Sequence, residues 1–549
     1  MSLQFITGGS GAGKSEYLSR LVCEESVRRP HDNFIVVVPE QYTMETQKKL
    51  VHMHSRKGIL NIDVVSFERL AYKVFEELGG GNRPVLDDTG KNLIVRRVLE
   101  KEKKKLDYFG SSIEKTGFVS ELKSVISELL QYGITPQQLG EIGENVKEKQ
   151  QLSAKLKDIR LVYKEFMAFL STNYITSEEI LDVLCGLVEK SKLIAGSEII
   201  FDGFTGFTPI QYKLMRLLLV YSKGIKISVT IDKKERPTGH EGWNNLFFMS
   251  KEMMNRLIAI CEEEGINVDD TVCVDRDINY RYEGAKDLAY LERNLFRYKG
   301  GVYTGTPENI RIYEGSNPKE ELQYIVSEIL QLTRKEGFRY RDIAVVTADL
   351  ETYGKVAANM MKQNDIPAFL DYKRSVASNP YVEMLCSALE IVEKGYPYDT
   401  MFRYLRTGLT GISRHDIDML ENYCLAVGIR GSRAWHEPWK KKMKRSTYQP
   451  ELETLNALRE QIMAPFLNLE AVLKDKEANV RAYVTAVYEF VTALHSAEQI
   501  KALSECEPVG NEYEQLYAKV LELFDRIVEL LGEENVSLKE FNRIVAAGF

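Results

Sequence analysis

The first two dozen residues carry the feature that most constrains this chain. Gln4-Phe5-Ile6-Thr7 reads as a short strand. It runs into Gly8-Gly9-Ser10-Gly11-Ala12-Gly13-Lys14-Ser15, and Leu18, Leu21 and Val22 follow at helical spacing. A strand, then G-x-x-x-x-G-K-S, then a helix is the context a phosphate-binding loop requires. Glycines let backbone N–H groups turn inward around phosphate oxygens, and the helix N-terminus adds partial positive charge. Lys14 is expected to reach the β- and γ-phosphates, and the Ser15 hydroxyl to ligate Mg²⁺. The expected cofactors are therefore ATP and Mg²⁺. Few residues precede the strand, so phosphate and metal contacts are expected to outweigh recognition of the base.

Strand signals at Gln4–Thr7, Phe34–Val38 and Ile62–Ser66 are short apolar runs, each followed by a polar turn or a helix. That punctuation indicates βαβ units and a parallel sheet. From about Asp87 to Leu193 the pattern turns helical, as in Leu122, Val125, Ile126, Leu129 and Leu130. The sheet resumes at Glu198–Asp202 and Ile225–Ile231. Asn309–Glu314 and Ile343–Thr347 read as strands of a second sheet, with a helix over Glu320–Arg334 between them. From about Pro380 to Phe549 the chain is helical again. The predicted organisation is a first sheet domain at 1–84 and 194–300 and a helical insertion at 85–193. A second sheet domain begins at 301–379, and a second helical stretch occupies 380–549. The last residues, Asn542 to Phe549, read as cut rather than finished, so a longer parent protein is expected.

Composition narrows the function classes. The charge is 73 − 80 = −7, which excludes a globally basic nucleic-acid binder but not a local basic channel. No apolar run nears the roughly 20 residues that cross a bilayer, and the N-terminus lacks the pattern of a signal peptide. Seven scattered cysteines with no CxxC pair point to thiols in a reducing, cytoplasmic setting, not to a disulfide frame or a metal site.

A phosphate-binding loop that uses Mg²⁺ needs an acid at the end of a neighbouring strand. Asp202, after Ile199-Ile200-Phe201, is the candidate. A strand-end turn former is its ordinary alternative. Its surroundings are similar to the Asp-Glu-Phe-x-Asp-Thr-x-x-x-Gln run of superfamily 1 helicases, with Gly203 where the Glu stands. That Glu polarises the attacking water, so nucleotide binding without efficient hydrolysis is expected. Such helicases also place an arginine finger just after the strand that opens the second motor domain. Here Ala348-Asp349-Leu350 follows Ile343–Thr347, with no Arg.

These segments, with Val38-Pro39-Glu40-Gln41-Tyr42-Thr43, Val65-Ser66-Phe67-Glu68-Arg69-Leu70-Ala71, Phe207-Thr208-Pro209, Asp342–Val346 and Leu420–Cys424, give a family resemblance. The chain resembles the B subunit of the AddAB (RexAB) helicase–nuclease family of bacterial recombination proteins, over essentially its whole length. The resemblance implies an α/β fold of two RecA-like domains, each with a helical insertion. It implies a component of an ATP-dependent DNA helicase and exonuclease for double-strand break repair. An A-type subunit would be the motor, and the B subunit would read the Chi sequence on the emerging single strand of a DNA duplex. The nuclease domain and the iron–sulfur cluster belong to a C-terminal part absent from this sequence. The family's Chi-reading positions match Gln41, Thr43, Phe67, Arg69, Tyr72 and Phe207. Amides and hydroxyls can bond base edges, Arg can pair with guanine, and aromatics can stack on bases. Each type also has a structural role: Phe67 and Phe207 as core, Arg69 as an ion-pair partner.

Two rival readings remain at this stage: a self-sufficient ATP-driven helicase, and a scaffold with a vestigial loop. Gly203 and the absent arginine argue against the first, and the intact Lys14 and Ser15 against the second. A weaker signal is Trp435 and Trp439 beside the basic run from Lys440 to Arg445. It reads as a solvated surface loop, or alternatively as a DNA-contacting arm.

Overall fold

A computed structural model describes the chain except residues 80–83, 114, 116, 147–148, 237, 239–241, 298–299, 371–375, 377–378, 444–450 and 507–511, and except the side chains of 171–173, 503–506 and 512–514. Its centre is a parallel sheet. The strands are β1 (Ser2–Gly8), β2 (Asn33–Val37), β3 (Ile62–Val65), a detached short pair β4 (Val85–Leu86) and β5 (Ile175–Thr176), then β6 (Ser197–Phe201), β7 (Gly224–Thr230), β8 (Asn267–Val268) and β9 (Val272–Cys273). The order across the main sheet is β3-β2-β6-β7-β1-β8, with β9 also on β1. Every ladder is parallel, with Phe5 opposite Ile227 and Val37 opposite Phe201. The three early strands and both returning strands lie within a residue or two of their predicted positions.

Period-two alternation divides the strand side chains between two cores. Phe5, Ile35, Val37, Ile199, Phe201 and Ile227 face one side. There they meet α3 (Phe67–Leu78) and the helices Pro209–Tyr221 and Phe248–Glu264. Ile6, Phe34, Val36 and Ile200 face the other side, where α1 (Lys14–Arg28) and α2 (Thr43–Met53) supply Leu18, Val22 and Leu50. Helices on both faces of a parallel sheet satisfy every strand without an exposed apolar surface. Local chemistry sets the helix starts. The Ser66 hydroxyl accepts the Arg69 N–H at the start of α3, and Thr208 with Gln211 forms a reciprocal capping box ahead of Pro209.

The two helical stretches, read from sequence as separate insertions, share one core. Leu93, Val98, Ile126 and Phe166 cluster with Tyr381, Phe466, Val487 and Phe541. At that junction Arg543 pairs with Glu100 at 2.8 Å, and Arg97 pairs with Glu534 and Glu540.

Two sequence expectations fail here. Asn309–Glu314 and Ile343–Thr347 form no strand with any described residue. An extended segment becomes a strand only by exchanging backbone hydrogen bonds with a neighbour, and neither segment meets one. Ile312 and Val346 are accordingly more than nine-tenths exposed. The helix between them does form, over Pro318–Lys335, and packs on the helix Leu350–Gln363 through Val326, Ile329 and Met361. The surface-loop reading holds for the basic residues alone: Trp435 lies on the short helix Ser432–His436, and neither tryptophan is solvated. Both are buried with ring centroids 5.4 Å apart, and the Trp439 indole N–H donates to the Ala434 carbonyl at 2.7 Å. Their basic neighbours Lys440–Lys442 are exposed, and Lys444 and Arg445 lie outside the described residues.

Candidate nucleotide and nucleic-acid site

In a parallel sheet all strands end on one edge, and ligands bind there. β1 ends at Gly8, β6 ends beside Asp202 and β7 ends at Thr230. Between them lies a cavity of about 360 Å³ lined by Gly11, Lys14, Ser15, Asp202 and Thr230. Gly11 and Gly13 adopt φ of +71° and +95°, the left-handed region that disfavours side chains. Gly13 caps α1, so Lys14 and Ser15 open the helix with free N–H groups at its positive end. The Lys14 ammonium donates to the Gly8 and Gly9 carbonyls at 2.9 and 3.0 Å. Burial pushes Lys14 below its ordinary range; Asp202, Asp275 and Glu292 act in the opposite sense.

Asp202 is held from two sides. Its N–H donates to the Val37 carbonyl at 3.1 Å. One carboxylate oxygen accepts the Ser228 hydroxyl at 2.5 Å, and Ser228 Oγ also accepts the Gly203 N–H at 3.3 Å. Gly203 has φ of +85°, so the position that would carry a hydrolytic Glu is built for glycine.

A segment more than 260 residues downstream closes over the loop. From β9 the chain passes Asp275 and Asn279 to the helix Lys286–Asn294. The Glu292 carboxylate accepts the Ser10 N–H at 3.1 Å, Asn279 Nδ2 donates to the Ser10 carbonyl at 3.2 Å, and the Arg281 N–H donates to the Gly11 carbonyl at 3.3 Å. A Cβ at Gly9 would come within 3.0 Å of Glu292 Oε1, and one at Gly11 within 2.6 Å of Arg281 Cβ. These glycines therefore serve the strap as well as any phosphate. Arg281 also lines the cavity. Sequence reading missed it because no local spacing ties residue 281 to residue 11; the pairing of β9 with β1 and the hydrogen bonds from the strap to the loop do so.

The six residues matched to Chi reading divide by exposure. Gln41, Arg69 and Tyr72 are exposed, and Arg69 and Tyr72 line one groove of about 490 Å³ along β3. The Arg69 guanidinium pairs with Glu40 at 2.8 Å; both side chains are more than half exposed, so the pair is weak and exchangeable. Thr43 is buried and its hydroxyl donates to the Glu40 carbonyl at 2.9 Å. Phe67 is buried against Phe201, Phe204 and Phe207, with centroids 5.7, 5.3 and 6.0 Å away. Phe207 is half-buried in the same cluster, and Phe204 of that cluster also lines the cavity beside Lys14.

A family profile described as "ADDB, N-terminal" matches residues 5–292. The B subunit of the ATP-dependent helicase/deoxyribonuclease of Lachnoclostridium phytofermentans is 42% identical over 561 residues, covering 100% of this chain and 49% of the relative. The proteins of the same name from Clostridioides difficile and Clostridium novyi are 34% and 33% identical, each over 100% of this chain and 49% and 48% of their own lengths. The chain belongs to the AddB family. It spans about half the length of the curated relatives it matches. As an AddB homologue it is related to components of a helicase/deoxyribonuclease, whose naming by subunit implies a partner chain. Among the described residues, no helix is long and apolar enough to cross a membrane.

Proposed function

We propose that this chain is the nucleotide- and DNA-binding, helicase-like part of a cytoplasmic AddB protein acting in double-strand break repair. It works beside an A-type motor subunit and is not itself the main motor. The carrying observation is that Lys14, Ser15 and Asp202 line one cavity while Gly203 stands where a water-activating acid is needed. A hydroxyl and a carboxylate are hard oxygen donors, the set that Mg²⁺ takes together with phosphate oxygens. Ser15 and Asp202 would hold the ion, which would neutralise phosphate charge. Ser228 keeps the Asp202 carboxylate turned to its place, and the loop amides with Lys14 bind the phosphates.

Single-stranded DNA would pass Gln41, Arg69 and Tyr72, where an amide, a guanidinium and an aromatic ring are exposed for base edges and base faces. Residues 301–379 would be the first part of a second RecA-like domain. The test is ATP binding and hydrolysis by the purified chain, with and without single-stranded DNA, beside Lys14→Ala. Lys14-dependent binding with negligible turnover is the expected result. DNA-stimulated turnover lost in Lys14→Ala would move the motor reading to first place.

A further inference from the structure

We propose that Trp243 stacks on a base of the single strand that crosses the carboxyl edge of the sheet; the proposal rests on the DNA reading above. The chain holds three tryptophans, of which Trp435 and Trp439 are buried. Trp243 is 86% exposed.

The first observation is that the backbone around this ring is fixed. Trp243 lies in the connection from β7 to the helix Phe248–Glu264. The Asn245 N–H donates to the Gly242 carbonyl at 2.9 Å, which closes a turn with Trp243 at its second position. The Phe248 N–H donates to the Asn245 carbonyl at 3.0 Å, and the Asn245 side chain accepts the Phe247 N–H at 2.8 Å. Phe247 is buried, and the Ser250 hydroxyl donates to the Thr230 carbonyl at 2.8 Å, so the start of the helix is tied to the end of β7. The indole thus stands in water on an anchored turn.

The second observation is position. β3, β2, β6 and β7 are neighbours in that order and all end on one edge. The segments that follow them carry Arg69 and Tyr72, then Gln41, then Phe207, then Trp243. At about 4.8 Å between strands these four strand ends span about 14 Å. Met249, 59% exposed, joins the last two segments: its Cε lies 3.6 Å from where a Cβ at Gly206 would stand. A single strand that passes Tyr72 and Gln41 and continues along this edge arrives at Trp243.

The third argument is chemical. The same connection carries Lys234 and Arg236, both exposed. Neither forms an ion pair with a described residue, whereas the adjacent Lys233 is paired with Asp277 at 2.5 Å. A single strand satisfies both groups, with flat base faces for the indole and phosphates for the cations. An apolar protein partner would use Trp243, Leu246 and Met249 and leave both cations without a counter-charge.

The experiment titrates the full 549-residue chain with oligothymidylate, reading tryptophan emission and, with a labelled strand, anisotropy. The variants are Trp243→Phe, Trp243→Ala and the double change Lys234→Ala with Arg236→Ala. Stacking quenches indole emission, and Trp435 and Trp439 are shielded by burial, so a quench in the parent that vanishes in Trp243→Phe is the expected result. Affinity should fall roughly fivefold to a hundredfold in Trp243→Ala, and less in Trp243→Phe, which keeps a ring. The double variant should lower the slope of log affinity against log salt by about 1.4. Thermal unfolding should stay within about 2 °C of the parent in each, because the side chains are exposed. DNA binding without a quench, a quench that survives in Trp243→Phe, or a Trp243→Ala affinity equal to the parent's overturns the role of Trp243 and leaves the DNA reading standing. A parent chain that does not bind the strand overturns the DNA reading and this proposal with it.

Discussion

Phe67 offers a sharp test, because the resemblance read from sequence implies a DNA contact there and its surroundings give it to the core. It is 8% exposed and packs against three phenylalanine rings. Burying a phenylalanine removes about 150–250 Å² from water, worth roughly 4–6 kcal/mol at 25 cal/mol per Å² as an upper bound. Measured Phe→Ala changes in cores run about 3–5 kcal/mol. Phe67→Ala is therefore expected to cost about 3–4 kcal/mol. For a unit the size of the sheet domain this lowers Tm by about 10 °C. Tyr72→Ala, on the same helix but exposed, should leave stability within about 0.5 kcal/mol. The assay pairs calorimetric unfolding with fluorescence anisotropy of a labelled single strand, adding Phe67→Leu as the conservative change. The core reading predicts that Leu preserves DNA binding and most of the Tm. Phe67→Ala melting within about 2 °C of the parent, with DNA affinity lost in both Phe67 variants, would refute the packing argument and make Phe67 a direct DNA contact.

Gly203→Glu tests whether a base can be restored. Its Cβ meets only Pro39 at 3.5 Å, but a φ of +85° strains any L-residue by about 1–2 kcal/mol, so Tm should fall and ATP turnover should stay negligible in a phosphate-release assay. Gly11→Ala combines φ of +71° with a 2.6 Å clash against Arg281 Cβ; hydrogen exchange should show the strap at 279–292 losing protection, at a cost of about 1–3 kcal/mol. Asp287 accepts N–H groups of Asn309, Leu288 and Glu308, and the Asn309 amide leads in holding its carboxyl down at about 2. The charged form is favoured in the fold, so its contribution is complete above the ordinary value of about 3.9 and is lost as pH falls through about 2. Protection of the Glu308 and Asn309 amides, corrected for intrinsic exchange, should drop across that window and should do so far less in Asp287→Asn.

The parallel sheet and the glycine-rich loop at its edge were legible because the signals are local. A strand that turns into a helix through glycines needs only contiguous residues, so β1, the loop and α1 can be read directly. Asp202 was legible because a strand-end acid follows its own apolar run. The strands expected at Asn309–Glu314 and Ile343–Thr347 show the limit of the same reasoning. Alternating or continuous apolar residues report a preference for extended backbone, whereas a sheet needs a hydrogen-bonding neighbour that no local pattern guarantees.

Chi-reading positions expose a further limit. A sequence match assigns Gln41, Thr43, Phe67, Arg69, Tyr72 and Phe207 one shared task, but the turn at Glu40–Tyr42 and the start of α3 give neighbouring side chains opposite environments. Gln41 faces out while Thr43, two residues on, spends its hydroxyl on Glu40. Arg69 faces out while Phe67 enters the cluster with Phe201, Phe204 and Phe207. On the proposed DNA path, Thr43 and Phe67 would act by fixing the backbone that presents Gln41, Arg69 and Tyr72, an effect that appears in stability as well as in affinity. Because Phe204 also lines the cavity at the glycine-rich loop, the aromatic cluster borders both proposed sites, and substitutions within it must be read in both binding assays at once.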